Sequence, residues 1–321
     1  MILSVSRRTD IPSFYGEWFY NRIKEGFVMV RNPMNYHSIS KINISPNIVD
    51  CIVFWTKNPI PFIPFLNEIN EKYKFYFQYT LNAYDVDIEK NIPKIDERIE
   101  SLSLLARKYC SDRVIWRYDP ILISNKYDLN WHIEKFNGLC QKFNGVVSTC
   151  VFSFLDVYAK NSSKLNKNGV RPLTEPEMQF IAEKFADIAK KNNIKLKTCS
   201  ENIDLIHLGI EKSCCVDSCL ISKLIGCNID VTKDKNQRAE CGCVESVDIG
   251  QYNTCSNGCL YCYANYSDVT VATSKKKHNP KSPLLIGEVE EDDKITERSV
   301  KTLKKEQMSV FDLLTNEKKE K

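Results

Sequence analysis

Short runs of β-branched and aromatic residues alternate with stretches of helical spacing over the first two hundred positions. ILSVS (2–6) precedes a helical pattern over 14–26, CIVFWTK (51–57) one over 63–73, and KFYFQYTLN (74–82) one over 94–109. RVIWRYDPI (113–121) precedes a pattern over 128–143, and STCVFSFLD (148–156) one over 174–192. KLKTCSE (195–201) and SVDIG (246–250) are two further strand-like runs. The sharpest helix signal is the one over 174–192. There Thr174 and Glu177 match a capping box, and Met178, Ile181, Phe185 and Ile188 recur on one face. About seven strands separated by helices predict an α/β fold with a parallel sheet and right-handed crossovers, as a partial or closed β/α barrel.

Beyond residue 200 the pattern changes. The chain divides into β/α barrel units over 1–200, a cysteine-rich segment over 201–272 that carries the last strand, and a charged tail over 273–321. SKKKHNPKSP and EVEEDDKITERSVKTLKKEQ are too polar to build a core, so that tail is expected to be disordered. No internal repeat is visible.

Composition narrows the class. Hydrophobic residues make up 43% and charged residues 27%, as in a globular protein that buries a sizeable core. The net charge of +4 arises from 45 basic and 41 acidic residues, too even a balance to mark a nucleic-acid binder. No apolar run reaches the roughly 18–20 residues that span a bilayer. MILSVSRRTDIP lacks the pattern of a secretory leader, so no membrane partner is expected and the cytoplasm is the expected location.

In a reducing compartment, fourteen cysteines point to metal rather than to a disulfide framework. Nine lie between Cys214 and Cys262, whereas Cys51, Cys110, Cys140 and Cys150 sit in apolar segments and read as small buried hydrophobes.

Parallel β/α folds assemble their sites at the C-terminal ends of the strands. Those ends carry Arg7, Arg8, Lys57, Arg117 and Asp119, together with Thr80, Asn82 and Ser153. Each alone reads more readily as a structural polar group; jointly they describe a polar cavity. Its cations suit carboxylate or phosphate groups, which makes Arg7, Arg8, Lys57 and Asp119 candidate substrate-binding residues. A small anionic molecule, a peptide and a nucleic acid all remain open as substrates. No Ser-His-Asp set, Walker loop or G-x-G-x-x-G occurs, and four histidines make a His-rich hydrolytic centre unexpected.

The most specific motif is NTCSNGCLYCYA, in which Cys255, Cys259 and Cys262 are spaced C-x3-C-x2-C and Tyr261 precedes the last cysteine. It resembles the cluster-binding loop of radical S-adenosylmethionine enzymes, most closely the branch that includes spore photoproduct lyase. The resemblance implies that the three thiolates hold a 4Fe–4S cluster whose fourth iron stays open for S-adenosylmethionine. Reductive cleavage of that cofactor would release a 5′-deoxyadenosyl radical, with electrons from a donor such as flavodoxin or ferredoxin. By the same resemblance Tyr261 would lie near the adenine, and Thr80, Asn82, Arg117 or Ser153 would contact ribose or carboxylate. The family's glycine-rich motif for the methionine amino group is missing. Across residues 1–285 the chain resembles the DUF1848 family through SVSRRTDIP, FWTKNP, WRYDPI, CGC and DIGQYNTCSNGCLYCYANYS. No reaction is attached to that family.

In ordinary radical S-adenosylmethionine enzymes the cluster loop follows the first strand; here it comes last. The order implies a circular permutation in which SVDIG replaces the first strand and lies near ILSVS. A second centre, an auxiliary Fe–S cluster or zinc, is expected at Cys199, Cys215, Cys241 and Cys243, with Cys214, Cys219 and Cys227 as competitors. Two other readings stand beside catalysis: a structural zinc module, and an Fe–S centre for electron transfer or sensing.

Overall fold

The computed structural model of the chain describes residues 1–305. Its strands are β1 (Ile2–Val5), β2 (Phe27–Asn32), β3 (Asn35–Asn43), β4 (Cys51–Thr56), β5 (Phe75–Thr80), β6 (Val114–Ile121), β7 (Thr149–Phe154), β8 (Lys195–Cys199), β9 (Glu211–Ser213), β10 (Val247–Asp248) and β11 (Lys294–Arg298). Its helices are α1 (Ile11–Phe14), α2 (Gly16–Glu25), α3 (Leu66–Lys72), α4 (Ile95–Tyr109), α5 (Leu129–Phe143), α6 (Ala159–Lys167), α7 (Glu175–Lys191), α8 (Ser218–Ile225) and α9 (Asp268–Lys276).

Eight strands form one sheet in the order β10-β1-β4-β5-β6-β7-β8-β9, with every neighbouring pair parallel. β9 and β10 are its two edges, so the arrangement is consistent with a partial barrel rather than a closed one. SVDIG does lie against the N-terminal strand: Leu3 is in register with Val247, and Ser4 with Asp248.

Period-two alternation assigns the two faces of the sheet. Leu3, Val5, Ile52, Phe54, Phe75, Phe77, Trp116 and Phe152 belong to the large core, which also takes in residues of α2, α4, α5 and α7. Phe185 of α7 stacks on Phe136 of α5 at 3.8 Å between ring centroids. Both members of the expected capping box at Thr174 and Glu177 are present. On the other face Ile2, Cys51, Val53, Tyr76, Ile115 and Val151 pack against Cys215, Val216, Cys241, Cys243 and Val244. The cysteine-rich segment therefore covers one face of the sheet and supplies both of its edge strands. Burial of such side chains stabilises the fold by roughly 1.5–3 kcal/mol each.

Three features depart from the sequence reading. First, β2 and β3 form a hairpin, joined by β11 in a separate three-stranded sheet. Second, the expected disordered tail is folded as far as Lys305. α9 ends within its first residues, β11 pairs with β3 from Lys294↔Ser38 to Arg298↔Ile42, and Leu303 donates to Asp50 at 2.8 Å. Main-chain pairing can order a charged strand because the ladder bonds do not depend on side-chain polarity. Residues 306–321 of that tail lie outside the described residues. Third, Cys51, Cys140 and Cys150 are buried as expected, but Cys110 is exposed. It follows the last turn of α4 with φ +87°, where the chain leaves the helix and the side chain points away from the core. Among the described residues no helix is long and apolar enough to cross a membrane.

Candidate functional site

The C-terminal ends of the eight strands open into a cavity of about 760 Å³. Arg7, Arg8 and Asp10 enter it after β1, Lys57 after β4, Thr80 at the end of β5, Arg117 and Asp119 from β6, and Ser153 from β7. Cys199 enters at the end of β8, Cys215 after β9, Cys241 and Cys243 before β10, and Cys255, Cys259, Tyr261 and Cys262 after it. Both cysteine groups share one cavity with the strand-end polar residues. Of the residues expected at the site, only Asn82 is missing from the wall; it lies behind, 1% exposed, between Asp119 and Tyr261.

The cysteine loop is clamped on three sides. From the β1 side, Asp10 Oδ2 accepts from Asn257 Nδ2 at 3.1 Å, and Tyr15 OH donates to the Thr254 carbonyl at 2.6 Å. From the segment after β5, Ile88 O accepts from Leu260 N at 2.8 Å, and Asn91 N donates to Asn257 O at 3.0 Å. From α6, Asn161 Nδ2 donates to Tyr261 O at 3.2 Å. Gly258 turns with φ +67°, and a Cβ there would lie 3.1 Å from Asn91 Nδ2. Asp248 ties the loop's entry to β1. Its carboxylate accepts from Ser4 and Ser6 hydroxyls at 2.8 and 2.7 Å and from Arg7 N at 2.9 Å.

Beneath Tyr261 runs a buried charge network. Glu89, 2% exposed, contacts Lys57 Nζ at 2.8 Å and Arg98 Nη1 at 3.3 Å, and it accepts from the Tyr261 hydroxyl. Burial works against ionisation of Glu89, but the charges of Lys57 and Arg98 outweigh it and hold the carboxyl below its ordinary range. Asp10 shows the opposite balance: burial raises its pKa despite the hydrogen bonds it receives. Burial also pushes the Cys255 thiol up to about 12 and the Cys259 thiol well above its ordinary range, so a bound cation would be needed to favour their thiolates.

The four cations expected to grip an anionic ligand are all paired. Arg7 meets Asp234 at 3.6 Å, Arg8 meets Asp248 at 4.0 Å, and Lys57 meets Glu89. Arg117 Nε donates to Asp119 at 2.7 Å, and Ser153 Oγ donates to the other Asp119 oxygen at 2.6 Å. The cavity is therefore a field of neutralised pairs rather than a cationic trap. Arg117 Nη1 also donates to Cys215 Sγ at 3.1 Å. Beside the cavity, Arg7 Nη2, Thr9 Oγ1 and Asn257 Oδ1 are buried without a hydrogen-bond partner.

At the second cysteine group Cys199 Sγ lies 3.3 Å from Cys215 Sγ, and Cys243 Sγ accepts from Val216 N at 3.4 Å. Cys241 is brought down to about 6, chiefly by its hydrogen bond with Cys243. Among the described residues no group of three or more His, Cys, Asp or Glu side chains is placed so that it could hold a single metal ion.

Sequence reasoning missed Glu89, Arg98 and Asp248 as residues of the site. Asp248 had a usable signal, since it sits in the strand that feeds the cysteine loop. Glu89 and Arg98 had none, because only the fold brings them under Tyr261.

The fold and site define an α/β protein with a thiol-lined cavity at the strand ends of a parallel sheet. The profile of the DUF1848 family, described as a domain of unknown function, matches residues 2–264, and the chain belongs to that family. No curated protein matches. Among solved structures, a Bacteroides thetaiotaomicron VPI-5482 protein described as a "putative alpha-L-fucosidase" is similar at 11% identity and a TM-score of 0.23. The match covers 49% of this chain and 64% of that one, too distant to bear on function.

Proposed function

We propose that the protein is a radical S-adenosylmethionine-type enzyme on a circularly permuted barrel. The observation that carries this reading is the convergence of Cys255, Cys259, Cys262 and Tyr261 with the strand-end polar residues on one cavity. β10, which leads into the loop, lies beside β1, where a permuted first strand belongs. The donor set fits the implied group: three thiols from a single loop with Gly258 at its tight turn. A cluster takes one thiolate at each of three corners, so its ligands need not crowd together like those of a single ion.

When bound, the cluster and S-adenosylmethionine would supply one-electron cleavage of the sulfonium and hydrogen abstraction from substrate. The chain's own residues orient and enclose. The Lys57–Glu89–Arg98 network fixes the Tyr261 hydroxyl and so the ring on the cavity wall. The cavity's 760 Å³ lies within the range of small-molecule sites, which favours a small polar substrate over a nucleic acid. A one-electron donor such as flavodoxin or ferredoxin completes the scheme.

The test is anaerobic reconstitution with iron and sulfide, followed by EPR of the dithionite-reduced protein with and without S-adenosylmethionine. A 4Fe–4S signal that shifts with the cofactor and is lost in the Cys255/Cys259/Cys262→Ala variant supports the reading. A signal that the cofactor does not move would assign the loop to electron transfer or sensing. A colourless, zinc-loaded loop would make it structural.

A further inference from the structure

We propose that Cys199 and Cys215 are a redox-active dithiol that reduces a low-molecular-weight disulfide admitted to the cavity. The inference does not depend on the radical reading, because neither sulfur belongs to the cysteine loop. Cys199 ends β8, and Cys215 follows the end of β9. β9 runs parallel to β8 with Ser213 in register with Cys199, so the ladder delivers both cysteines to the same end of the sheet. Both line the cavity. Their sulfurs stand 3.3 Å apart, the one contact between two sulfurs among Cys199, Cys215, Cys241 and Cys243. A disulfide needs about 2.05 Å, so a closure of roughly 1.2 Å by side-chain rotation forms the bond.

The surroundings hold Cys215 in place and polarise its sulfur. Its carbonyl accepts from the Tyr76 hydroxyl at 2.7 Å and from Gln78 Nε2 at 3.0 Å. Arg117 Nη1 donates to Cys215 Sγ at 3.1 Å, while Asp119 and Gln78 Oε1 fix the same guanidinium at 2.7 and 3.2 Å. A guanidinium N–H favours the anionic form of the sulfur it meets, which makes Cys215 the nucleophile and Cys199 the thiol that donates to it. The Cys215 thiolate attacks one sulfur of the small disulfide, forms a mixed disulfide and expels the first thiolate. The Cys199 sulfur then attacks Cys215 Sγ, forms the Cys199–Cys215 bond and expels the second. The two cysteines lose two electrons, which the small disulfide gains, and their two protons end on the released thiols. An external dithiol restores the pair by the reverse exchange. With Cys215 only 9% exposed on the wall of a cavity of about 760 Å³, a small disulfide reaches its sulfur and a disulfide in a folded protein does not.

The test uses full-length protein, reduced with dithiothreitol, desalted under argon, mixed with oxidised glutathione and quenched at intervals with N-ethylmaleimide for peptide mass spectrometry. A Cys199–Cys215 cross-link should form, and dithiothreitol should reverse it. Cys215 should be consumed faster than the exposed Cys110 and Cys219, the reverse of their order of exposure. Cys199→Ser should accumulate glutathione on Cys215, whereas Cys215→Ser should form no cross-link. The cross-link and the order of reaction are read in the unsubstituted chain, so the test survives misfolding of either variant. The Cys255/Cys259/Cys262→Ala variant, shown to be folded by circular dichroism, should form the same cross-link. A failed cluster reconstitution leaves that result untouched, so the two readings fail separately. A cross-link to Cys214, Cys241 or Cys243 instead, glutathione that stays on Cys215 of the unsubstituted chain, Cys215 slower than Cys110 and Cys219, or loss of the cross-link in the folded loop variant would each overturn the proposal.

Discussion

Glu89→Gln tests the charge network under the cysteine loop. The substitution keeps the shape of the side chain but removes the one carboxylate facing both Lys57 and Arg98, at 2.8 and 3.3 Å. It also weakens the acceptor of the Tyr261 hydroxyl. Removing one partner of a buried ion pair leaves an uncompensated buried charge and costs about 3–5 kcal/mol. Against a total stability of roughly 5–15 kcal/mol, that is a large share. The sign of the pH dependence follows from the depressed pKa of Glu89. Its contribution is fully present above the unfolded-state value of about 4.3 and is lost as pH falls through the lower folded-state value. Urea denaturation at pH 7 and over the acid range reads both effects. Alkylation rates of Cys255 and Cys259 in metal-free protein report whether the loop has loosened. A double variant with Lys57→Met should recover part of the loss, because the stranded lysine charge goes with it. A Glu89→Gln protein less than about 1 kcal/mol below wild type, with its loop cysteines as protected as before, would refute the reasoning.

His132 is buried, with Nδ1 at 2.9 Å from the Tyr118 hydroxyl and Nε2 at 2.8 Å from Leu122 O, and burial lowers its pKa to about 4. The unfolded chain therefore binds the extra proton first on acidification. Stability should fall by about 3 kcal/mol between pH 6.5 and 4, a slope that His132→Gln should flatten in urea melts. Gly250→Ala would place a Cβ 1.9 Å from Ser6 Oγ. It should destabilise the β1–β10 junction by about 1–3 kcal/mol in thermal melts and lower iron incorporation on reconstitution. Unchanged incorporation would detach that junction from cluster binding.

Much of the parallel sheet was legible because hydrophobic periodicity is local: runs such as CIVFWTK and KFYFQYTLN announce strands buried on both faces. The α7 capping box was equally plain at Thr174 and Glu177. The hairpin β2–β3 was not legible because its alternation is weak, and β11 was not because its pairing with β3 joins residues about 250 positions apart. The open edge was also hidden, because no strand run states whether its sheet closes.

The sequence alone pointed to the parallel sheet of the central units, the clustering of the cysteines toward the C-terminal part of the chain, and the polar character of the strand ends. Tertiary structure alone decided that both cysteine groups share one cavity and that Glu89 and Arg98 stand under Tyr261. It also decided that every rim cation is already paired. The physical reason is range. Secondary structure follows from neighbours a few residues apart, whereas charge pairing and metal geometry depend on distances that exist only once remote segments have been brought together.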